Sequence, residues 1–407
     1  ARRLVIDTMS ATKPEAIDRL LAEYGAKVKV KPDLDEVAQM IGNLPPFDPA
    51  KELGEKAHEV EIRNNRGKWK YHLQLPPEYS HTRTYPVLVA LHDSNDDPAG
   101  IVKKWSKAAA DQGYILAAPQ WGGRLAGGHY RYTPDEQDTV LEMLRDLRRR
   151  FNVDSDRVFL FGLGDGGKMA FDVGLSHPDL FAGVLPMSAG PVSFPRKYWR
   201  NAQYLPFYVV TGTRMPELYQ KEMRDQFTNW VNRHFPALWV EYKGRGTEWF
   251  PGEVPMMLDW MRCQKRAFPL TQLGTDGLGG VFGEEFCTVR EEDNRFYWLT
   301  ADAISRRCLM PPGRYIAGLA PAMLTARVIP ESNTISVKTT GVGRCTIWIG
   351  RDSSGRCMVD LDRPVTVQIG LKELPGKKIV PSLKVLLEDL YHRADRKHLF
   401  ISKIELR

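Results

Sequence analysis

Apolar positions along the chain follow three patterns. Residues 1–58 carry apolar side chains at the spacing of a helix face, which predicts a small N-terminal helical appendage. Residues 59–268 alternate short apolar runs with helical patterns, and residues 291–407 show mostly short strands with turn signals between them. A glycine-rich segment, residues 269–290, predicts a linker between the two larger domains.

Eight strands are predicted in the central domain. They are Val60–Asn64, Trp69–Leu75, Val87–Leu91, Ile115–Ala118, Val158–Phe161, Gly183–Met187, Phe207–Thr211 and Leu238–Tyr242. Those from Val87 onward are mostly continuous apolar runs, as expected when helices cover both faces of a sheet. The clearest helix is Pro134–Arg150, which Thr133 and Glu136 begin as a capping box. Two strands followed by alternating strands and helices indicate an α/β fold with a doubly wound sheet.

The last domain is predicted to be mostly β and sandwich-like. Its strands are Arg295–Thr300, Leu324–Ile329, Thr334–Thr339, Cys345–Ile349, Val365–Ile369 and Leu399–Leu406, with one helix at Leu383–Arg393. Polar turn segments such as residues 331–333 and 352–355 separate the strands. Short strands at this spacing are typical of a small β-sandwich.

Composition excludes several classes of function. The 407 residues are 43% hydrophobic and 26% charged, as in ordinary globular proteins, and no apolar run is long enough for a transmembrane segment. The net charge is +7, but the basic residues are spread along the chain. Their densest cluster, Arg148–Arg150, ends a predicted helix, where cations complement the helix dipole. We therefore expect no nucleic-acid partner.

The cysteines give no sign of a metal site. They are five in number and lack C-x-x-C spacing, so we expect neither a metal site nor a cofactor. If the protein is exported, one or two disulfides among the last four cysteines are one interpretation, and buried free thiols are the other. The first residue, Ala1, fits removal of a signal peptide or an arbitrary start, so the compartment stays open, with export or the periplasm slightly favoured.

One strand–turn–helix signal carries the candidate chemistry. The strand Val158–Phe161 runs into Gly162-Leu-Gly-Asp-Gly-Gly167, which has the layout of a nucleophile elbow. In the frame G-x-Nuc-x-G the nucleophile position is Gly164, which has no side chain with which to attack. Moving the frame by one residue selects Asp165, but it places Leu163 where the turn needs a small residue. The first frame is therefore preferred.

Five segments in order carry a resemblance to a known family. They are Tyr85-Pro-Val-Leu-Val-Ala-Leu-His92, the elbow Gly162–Gly167, His177–Ser188, Gly212-Thr-Arg-Met-Pro216 and Gly244-Arg-Gly-Thr-Glu248. With them, about residues 60 to 265 resemble the α/β-hydrolases, specifically the bacterial esterase, phospholipase/carboxylesterase and polyhydroxybutyrate-depolymerase-like branch. The resemblance implies an α/β-hydrolase sheet and covers about half of the chain.

The same resemblance implies that the catalytic positions are altered. Active members carry an aspartate where this chain has Met215 and a histidine where it has Thr247. Their oxyanion loop is rich in glycine, whereas this chain continues from His92 into Asp93 and further acidic residues. Carboxylates there repel a developing negative charge. The resemblance therefore implies a degenerate triad at Gly164, Met215 and Thr247.

Three functions remain open on the sequence. The leading hypothesis is a catalytically inactive pseudoenzyme, not an enzyme, that acts as a scaffold or protein-binding subunit or as a homo-oligomer, because its terminal segments add surface. The second is a protein that binds a small molecule or a carbohydrate in the cleft or on the β domain. The third is an unorthodox hydrolase using Asp165 and His92, which both follow neighbouring strands. Against it, Asp165 is suited to cap the following helix.

Overall fold

The eight predicted strands of the central domain form one sheet in a computed structural model, which describes residues 1–11, 15–27, 33–46, 56–64, 67–122, 128–267, 284–351 and 356–406. The strands are β1 His58–Asn64, β2 Gly67–Gln74, β3 Tyr85–Leu91, β4 Ile115–Pro119, β5 Val153–Leu163, β6 Gly183–Met187, β7 Phe207–Gly212 and β8 Ala237–Tyr242. Their order is β1-β2-β4-β3-β5-β6-β7-β8. Strand β2 is antiparallel to both its neighbours, and the strands from β4 to β8 are parallel. The predicted doubly wound α/β sheet is confirmed.

Helices cover both faces of this sheet. In chain order, the helices of the described residues are α1 Arg2–Ser10, α2 Ala16–Lys27, α3 Leu34–Asn43, α4 Pro98–Asp111, α5 Pro134–Arg150, α6 Asp165–Ser176, α7 Pro195–Tyr198, α8 Glu217–Asn232, α9 Val254–Cys263 and α10 Leu383–Arg393. The helices α1, α2, α3 and α10 form a separate apolar cluster, and the others pack on the sheet. Side chains of β3 alternate between two cores, with Val87 and Val89 in one and Leu88 and Ala90 in the other. Because both cores are buried, the central strands read as continuous apolar runs. None of the described helices is both long and apolar enough to cross a membrane.

The last domain packs two sheets against each other. A four-stranded sheet has the order β10-β11-β14-β17 and a five-stranded sheet the order β16-β15-β13-β12-β9. The strands are β9 Glu284–Thr288, β10 Arg295–Phe296, β11 Leu299–Ile304, β12 Ala322–Ile329, β13 Thr334–Thr340, β14 Val342–Gly350, β15 Val365–Ile369, β16 Lys372–Lys377 and β17 Phe400–Leu406. Both sheets contribute to one core, for example Ile335 from β13 and Ile347 from β14. The sandwich-like β domain is confirmed. Cys308 and Cys345 are buried free thiols in its core, and Cys287 is a buried free thiol that faces the central domain.

One predicted boundary is wrong. Residues 284–288, which the sequence analysis assigned to the linker, form β9 and pair antiparallel with β12. Phe286 of this strand lies in the core of the two β sheets, and Cys287 on the other face lies in a core of the central domain. Pairing with β12 and burial of Phe286 assign the segment to the β domain. The glycine-rich residues 268–283 and the predicted turn at residues 352–355 lie outside the described residues. The other domain boundaries stay a prediction.

The N-terminal helices pack on the C-terminal helix. Val5 of α1, Ile17 of α2 and Ile41 of α3 share a buried cluster with Leu386 and Leu390 of α10. The predicted appendage is therefore joined to the last domain by apolar contacts, although it comes first in the chain. Burial of apolar side chains of this size stabilises such contacts by roughly 1.5–3 kcal/mol each when complete.

A buried ionic cluster joins the central and last domains. Arg266 donates to Asp395 Oδ2 at 2.5 Å and to Asp156 Oδ1 at 3.0 Å, and the side chains of Arg266 and Asp395 are fully buried. Burial opposes ionisation of Asp395, but Arg266 and Arg393 outweigh it and hold the pKa of this carboxyl well below its usual range. We call Arg266, Asp156, Asp395, Arg393 and His398 the junction cluster.

Candidate active site

The predicted elbow is formed where β5 ends and α6 begins. Gly164 lies between them with φ 56° and ψ −116°, and its N–H donates to the carbonyl oxygen of Met187 on β6 at 3.0 Å. A Cβ at Gly162 would lie 2.7 Å from the nitrogen of Gly167, and a Cβ at Gly166 would lie 2.5 Å from the carbonyl oxygen of His92. These close approaches require small residues on both sides of the apex. The positive φ places Gly164 at the apex, as in the first frame.

The carboxylate of Asp93 fills the space beside Gly164. A Cβ on Gly164 would overlap Asp93 Oδ1 and lie 2.6 Å from its Cγ. The backbone N–H of Asp165 donates to the same Oδ1 at 2.8 Å. In an elbow, the N–H of the residue after the nucleophile belongs to the oxyanion hole. Asp93 therefore occupies the place of a nucleophile side chain and uses an oxyanion-hole donor.

Asp165 pairs with a histidine that sequence reasoning did not select. Its Oδ2 lies 2.6 Å from His129 Nδ1, and Asp165 has 4% of its side chain exposed whereas His129 has 83% exposed. The other ring nitrogen of His129, Nε2, has no hydrogen-bond partner among the described residues. An ionised carboxylate on one ring nitrogen with the other nitrogen open is the arrangement of a general base.

The predicted pairing of Asp165 with His92 is wrong. His92 is fully buried, its Nδ1 lies 2.8 Å from the carbonyl oxygen of Asp93, and its ring stacks on Trp121 at 5.0 Å. Its Nε2 is buried and has no hydrogen-bond partner within the described ranges of the chain. Burial lowers the pKa of His92, which keeps the ring neutral. The ring therefore belongs to the core under the loop, and proximity at the strand ends did not bring it to Asp165.

Lys168 completes the surroundings of Asp165. Its Nζ donates to Asp165 Oδ1, and 16% of its side chain is exposed. Burial raises the pKa of Asp165, but hydrogen bonds from Lys168 and His129 outweigh it, so the pKa is lowered and the carboxylate is ionised. Burial lowers the pKa of Lys168, and Asp165 and Tyr219 raise it more. In the described part of the chain, no three His, Cys, Asp or Glu side chains are placed to hold a metal ion.

The remaining predicted positions lie in the loops after β7 and β8. Met215 is buried, and Thr247 is exposed. Ser188, at φ 57°, donates from Oγ to the carbonyl oxygen of Glu248 at 2.6 Å and accepts the N–H of Glu248 at 2.9 Å. Ser188 thus ties the loop after β8 to the end of β6. The assignment of Gly164, Met215 and Thr247 as a former triad stays a prediction.

Sequence reasoning had only a weak signal for His129. It is one of nine histidines and lies 36 residues before Asp165. Its segment follows β4, whose carboxyl end lies at the same edge of the parallel sheet as that of β5. A search of all loops at that edge for histidines would have included His129 without selecting it. The fold alone brings the two side chains together.

Comparison with known proteins places the central domain in a family. Residues 64–249 match the family model Esterase. A bifunctional acetylxylan esterase/xylanase of Neocallimastix patriciarum is 26% identical over 169 residues, covering 37% of this chain and 25% of that protein. A poly(3-hydroxybutyrate) depolymerase of Ralstonia pickettii is 30% identical over 115 residues, covering 26% and 23%. The chain thus spans about a quarter of either relative. An S-formylglutathione hydrolase structure from Staphylococcus aureus is 15% identical, covers 52% of this chain and 98% of its own, and has a TM-score of 0.43.

These matches correct the expectation that the protein is not an enzyme. That expectation rested on four altered positions, and it is wrong, because the domain matches the Esterase model and its relatives are named as an esterase and a depolymerase. Altered positions in a sequence do not exclude other side chains that the fold brings to the elbow, where His129 lies 2.6 Å from Asp165. Residues 64–249 belong to the esterase-like branch of the α/β-hydrolases.

Proposed function

We propose that the protein hydrolyses carboxylic esters and that Asp165 and His129 serve as its base. The observation that carries the proposal is the 2.6 Å contact between Asp165 Oδ2 and His129 Nδ1 at the elbow of an esterase-family domain. The carboxylate fixes the ring and stabilises the imidazolium that forms when Nε2 takes a proton. The third function predicted from the sequence, an unorthodox hydrolase, is thus kept, with His129 in place of His92.

The reaction needs one proton carrier. His129 Nε2 takes a proton from water as the water oxygen adds to the acyl carbon, and it gives a proton to the alkoxide that leaves when the ester C–O bond breaks. The products are a carboxylic acid and an alcohol, and His129 returns to its starting state. Positioned proton transfer of this kind contributes roughly 10²–10⁴-fold to a rate.

Lys168 supports this chemistry electrostatically. Its ammonium group keeps Asp165 ionised, which is the form that can stabilise an imidazolium. Because Lys168 is mostly buried, its charge is screened less than a surface charge. A fixed positive charge near the acyl group stabilises the negative charge that develops on the acyl oxygen.

The relatives suggest the class of ester. Acetylxylan carries acetyl esters on a polysaccharide, and poly(3-hydroxybutyrate) is itself a polyester. We propose that the substrate is an ester of a hydroxyl group on a polymer. Three esters test this proposal. Acetylated xylo-oligosaccharides and a 3-hydroxybutyrate oligomer represent the two polymer classes, and p-nitrophenyl acetate represents a general ester.

The experiment measures acid released from each ester by the full chain. His129→Asn should lower kcat/KM by at least about 10²-fold, because asparagine can still bond to Asp165 but cannot accept the proton. The matched control is His234→Asn, which changes an exposed histidine in the turn between α8 and β8. Release of acid from none of the three esters by the unmodified protein contradicts the proposal, as does equal activity of the two variants.

A further inference from the structure

We infer that Asp93 competes with the acyl oxygen of a substrate for the oxyanion position of this site. The inference rests on the proposed ester hydrolysis and concerns the donor that this reaction uses. Three observations carry it: the backbone of Gly164, the contact of Asp93 Oδ1 with Asp165, and the accessibility of the loop that carries Asp93.

The backbone at Gly164 still has the geometry of an elbow that carries a nucleophile side chain. Gly164 keeps φ 56° and ψ −116°, and the N–H of Asp165 at the start of α6 points away from the helix toward Asp93. This N–H lies in the first turn of α6, where the helix dipole favours negative charge. The position therefore binds an oxyanion, and a carboxylate oxygen fills it at 2.8 Å.

Asp93 reaches this position from another element. It lies in the loop between β3 and α4 and is only partly buried, so it keeps contact with solvent. Several contacts that do not involve the Asp93 side chain fix the same loop. Asp97 caps α4 by accepting the N–H of Gly100 at 2.8 Å, and the carbonyl oxygen of Asp93 accepts from the N–H of Asp96 at 3.0 Å. The side chain can leave while the loop stays in place.

A bound acyl group needs the donor that Asp93 holds. Its carbonyl oxygen becomes negative as water adds, and backbone N–H donors placed at that oxygen are worth roughly 10²–10³ in kcat each. While Asp93 Oδ1 accepts from Asp165, the donor is withheld and a second negative charge faces the developing oxyanion. The side chain of Asp93 thus sets how strongly an acyl group must bind to displace it.

The test compares three variants at one position. Asp93→Gly frees the N–H of Asp165, and we expect kcat/KM for p-nitrophenyl acetate to rise at least about tenfold. Asp93→Asn keeps a side-chain oxygen in place, so its kcat/KM should rise much less. Asp93→Ala repeats the first change without the added backbone freedom of glycine. Unfolding midpoints in urea show whether each variant is folded.

Acetate provides a readout that does not depend on turnover. In Asp93→Gly, the vacated position should accept acetate, so added acetate should inhibit that variant competitively and raise its melting temperature. The unmodified protein should show neither effect, because its own carboxylate is already there. Unchanged or lower kcat/KM in both Asp93→Gly and Asp93→Ala, or equal acetate effects on variant and parent, overturns the inference. If no protein turns over ester, acetate binding still decides it.

Discussion

Two ionic networks in this molecule use the same kinds of side chain for different ends. In the junction cluster, Arg266 contacts Asp395 at 2.5 Å with both side chains fully buried. At the elbow, His129 contacts Asp165 at 2.6 Å with 83% of the histidine side chain exposed. The distances barely differ, whereas access to solvent differs completely. A carboxylate paired with a basic group therefore marks a candidate base only where the basic group can still reach a ligand.

The histidines of the two regions show the same contrast. Burial and then the charge of Arg266 lower the pKa of His398 in the junction cluster well below its ordinary value, so the ring stays neutral and enclosed. His129 presents a ring nitrogen without a partner among the described residues. The first arrangement stabilises a domain contact, and the second can carry a proton.

Removing Arg266 from the junction cluster should give the largest effect on stability. Arg266→Met leaves the buried carboxylate of Asp395 with the more distant Arg393 and takes the Arg266 partner from the partly buried Asp156. We expect a loss of about 3–5 kcal/mol in the free energy of unfolding. The matched control is Arg262→Met, which breaks an exposed pair with Asp259 and should change little. Urea unfolding of both variants measures the difference. Similar losses in the two would show that the junction cluster does not carry stability by burial.

Local patterns predicted most of this framework. The helix α5 has its predicted ends, because Thr133 and Glu136 form both bonds of the capping box and Pro134 begins the helix. Strand β6 also has its predicted bounds. A short, continuous apolar run is typical of a central strand in a sheet that helices cover on both faces. Such signals lie within a few residues of each other, so the sequence shows them directly.

The misses come from contacts between distant residues. Strand β5 begins at Val153, five residues before the predicted start, because polar residues follow Val153 and hide the amino end of the strand from the apolar pattern. Strand β9 was hidden by its glycine-rich neighbours. The contact of His129 with Asp165 and the position of Asp93 beside Gly164 depend on how loops meet at the sheet edge. No spacing rule along the chain reports such contacts.

A side chain at the elbow apex should be destabilising mainly because of Asp93. Gly164→Ala forces a Cβ onto Asp93 Oδ1 at a positive φ, and we expect a loss of about 1–3 kcal/mol. Gly244→Ala is the matched control for backbone strain, because Gly244 has φ 77° and nothing within 4 Å of its Cβ position.

The steric part of that loss should depend on Asp93. In an Asp93→Gly background the overlap disappears, so Gly164→Ala should cost less by about 0.5–3 kcal/mol. Urea unfolding of the four proteins of this double-mutant cycle measures the coupling energy. A coupling energy near zero would mean that the Asp93 side chain already moves away from Gly164 in solution. The contact between Asp93 and the elbow would then not be as tight as that between Arg266 and Asp395.

Glu284 extends the comparison to a buried carboxyl without a cation. Trp298 Nε1 donates to Glu284 Oε2, and Glu284 Oε1 has no hydrogen-bond partner in the described part of the chain. Burial raises the pKa of Glu284 to about 8, whereas in the junction cluster arginines outweigh burial and lower the pKa of Asp395. Since the folded pKa exceeds the ordinary value of 4.5, the stabilisation is complete below pH 4.5 and is lost as pH rises through about 8.

The free energy of unfolding should therefore fall by about 1 kcal/mol between pH 7 and pH 9, since each pH unit in which one proton is lost is worth about 1.4 kcal/mol. Glu284→Gln cannot ionise and keeps an acceptor for Trp298, so this fall should be absent in that variant when urea unfolding is measured across the same range. If the free energy of unfolding falls equally in parent and variant, a group other than Glu284 causes the fall. Burial alone would then not distinguish this carboxyl from those that an arginine neutralises.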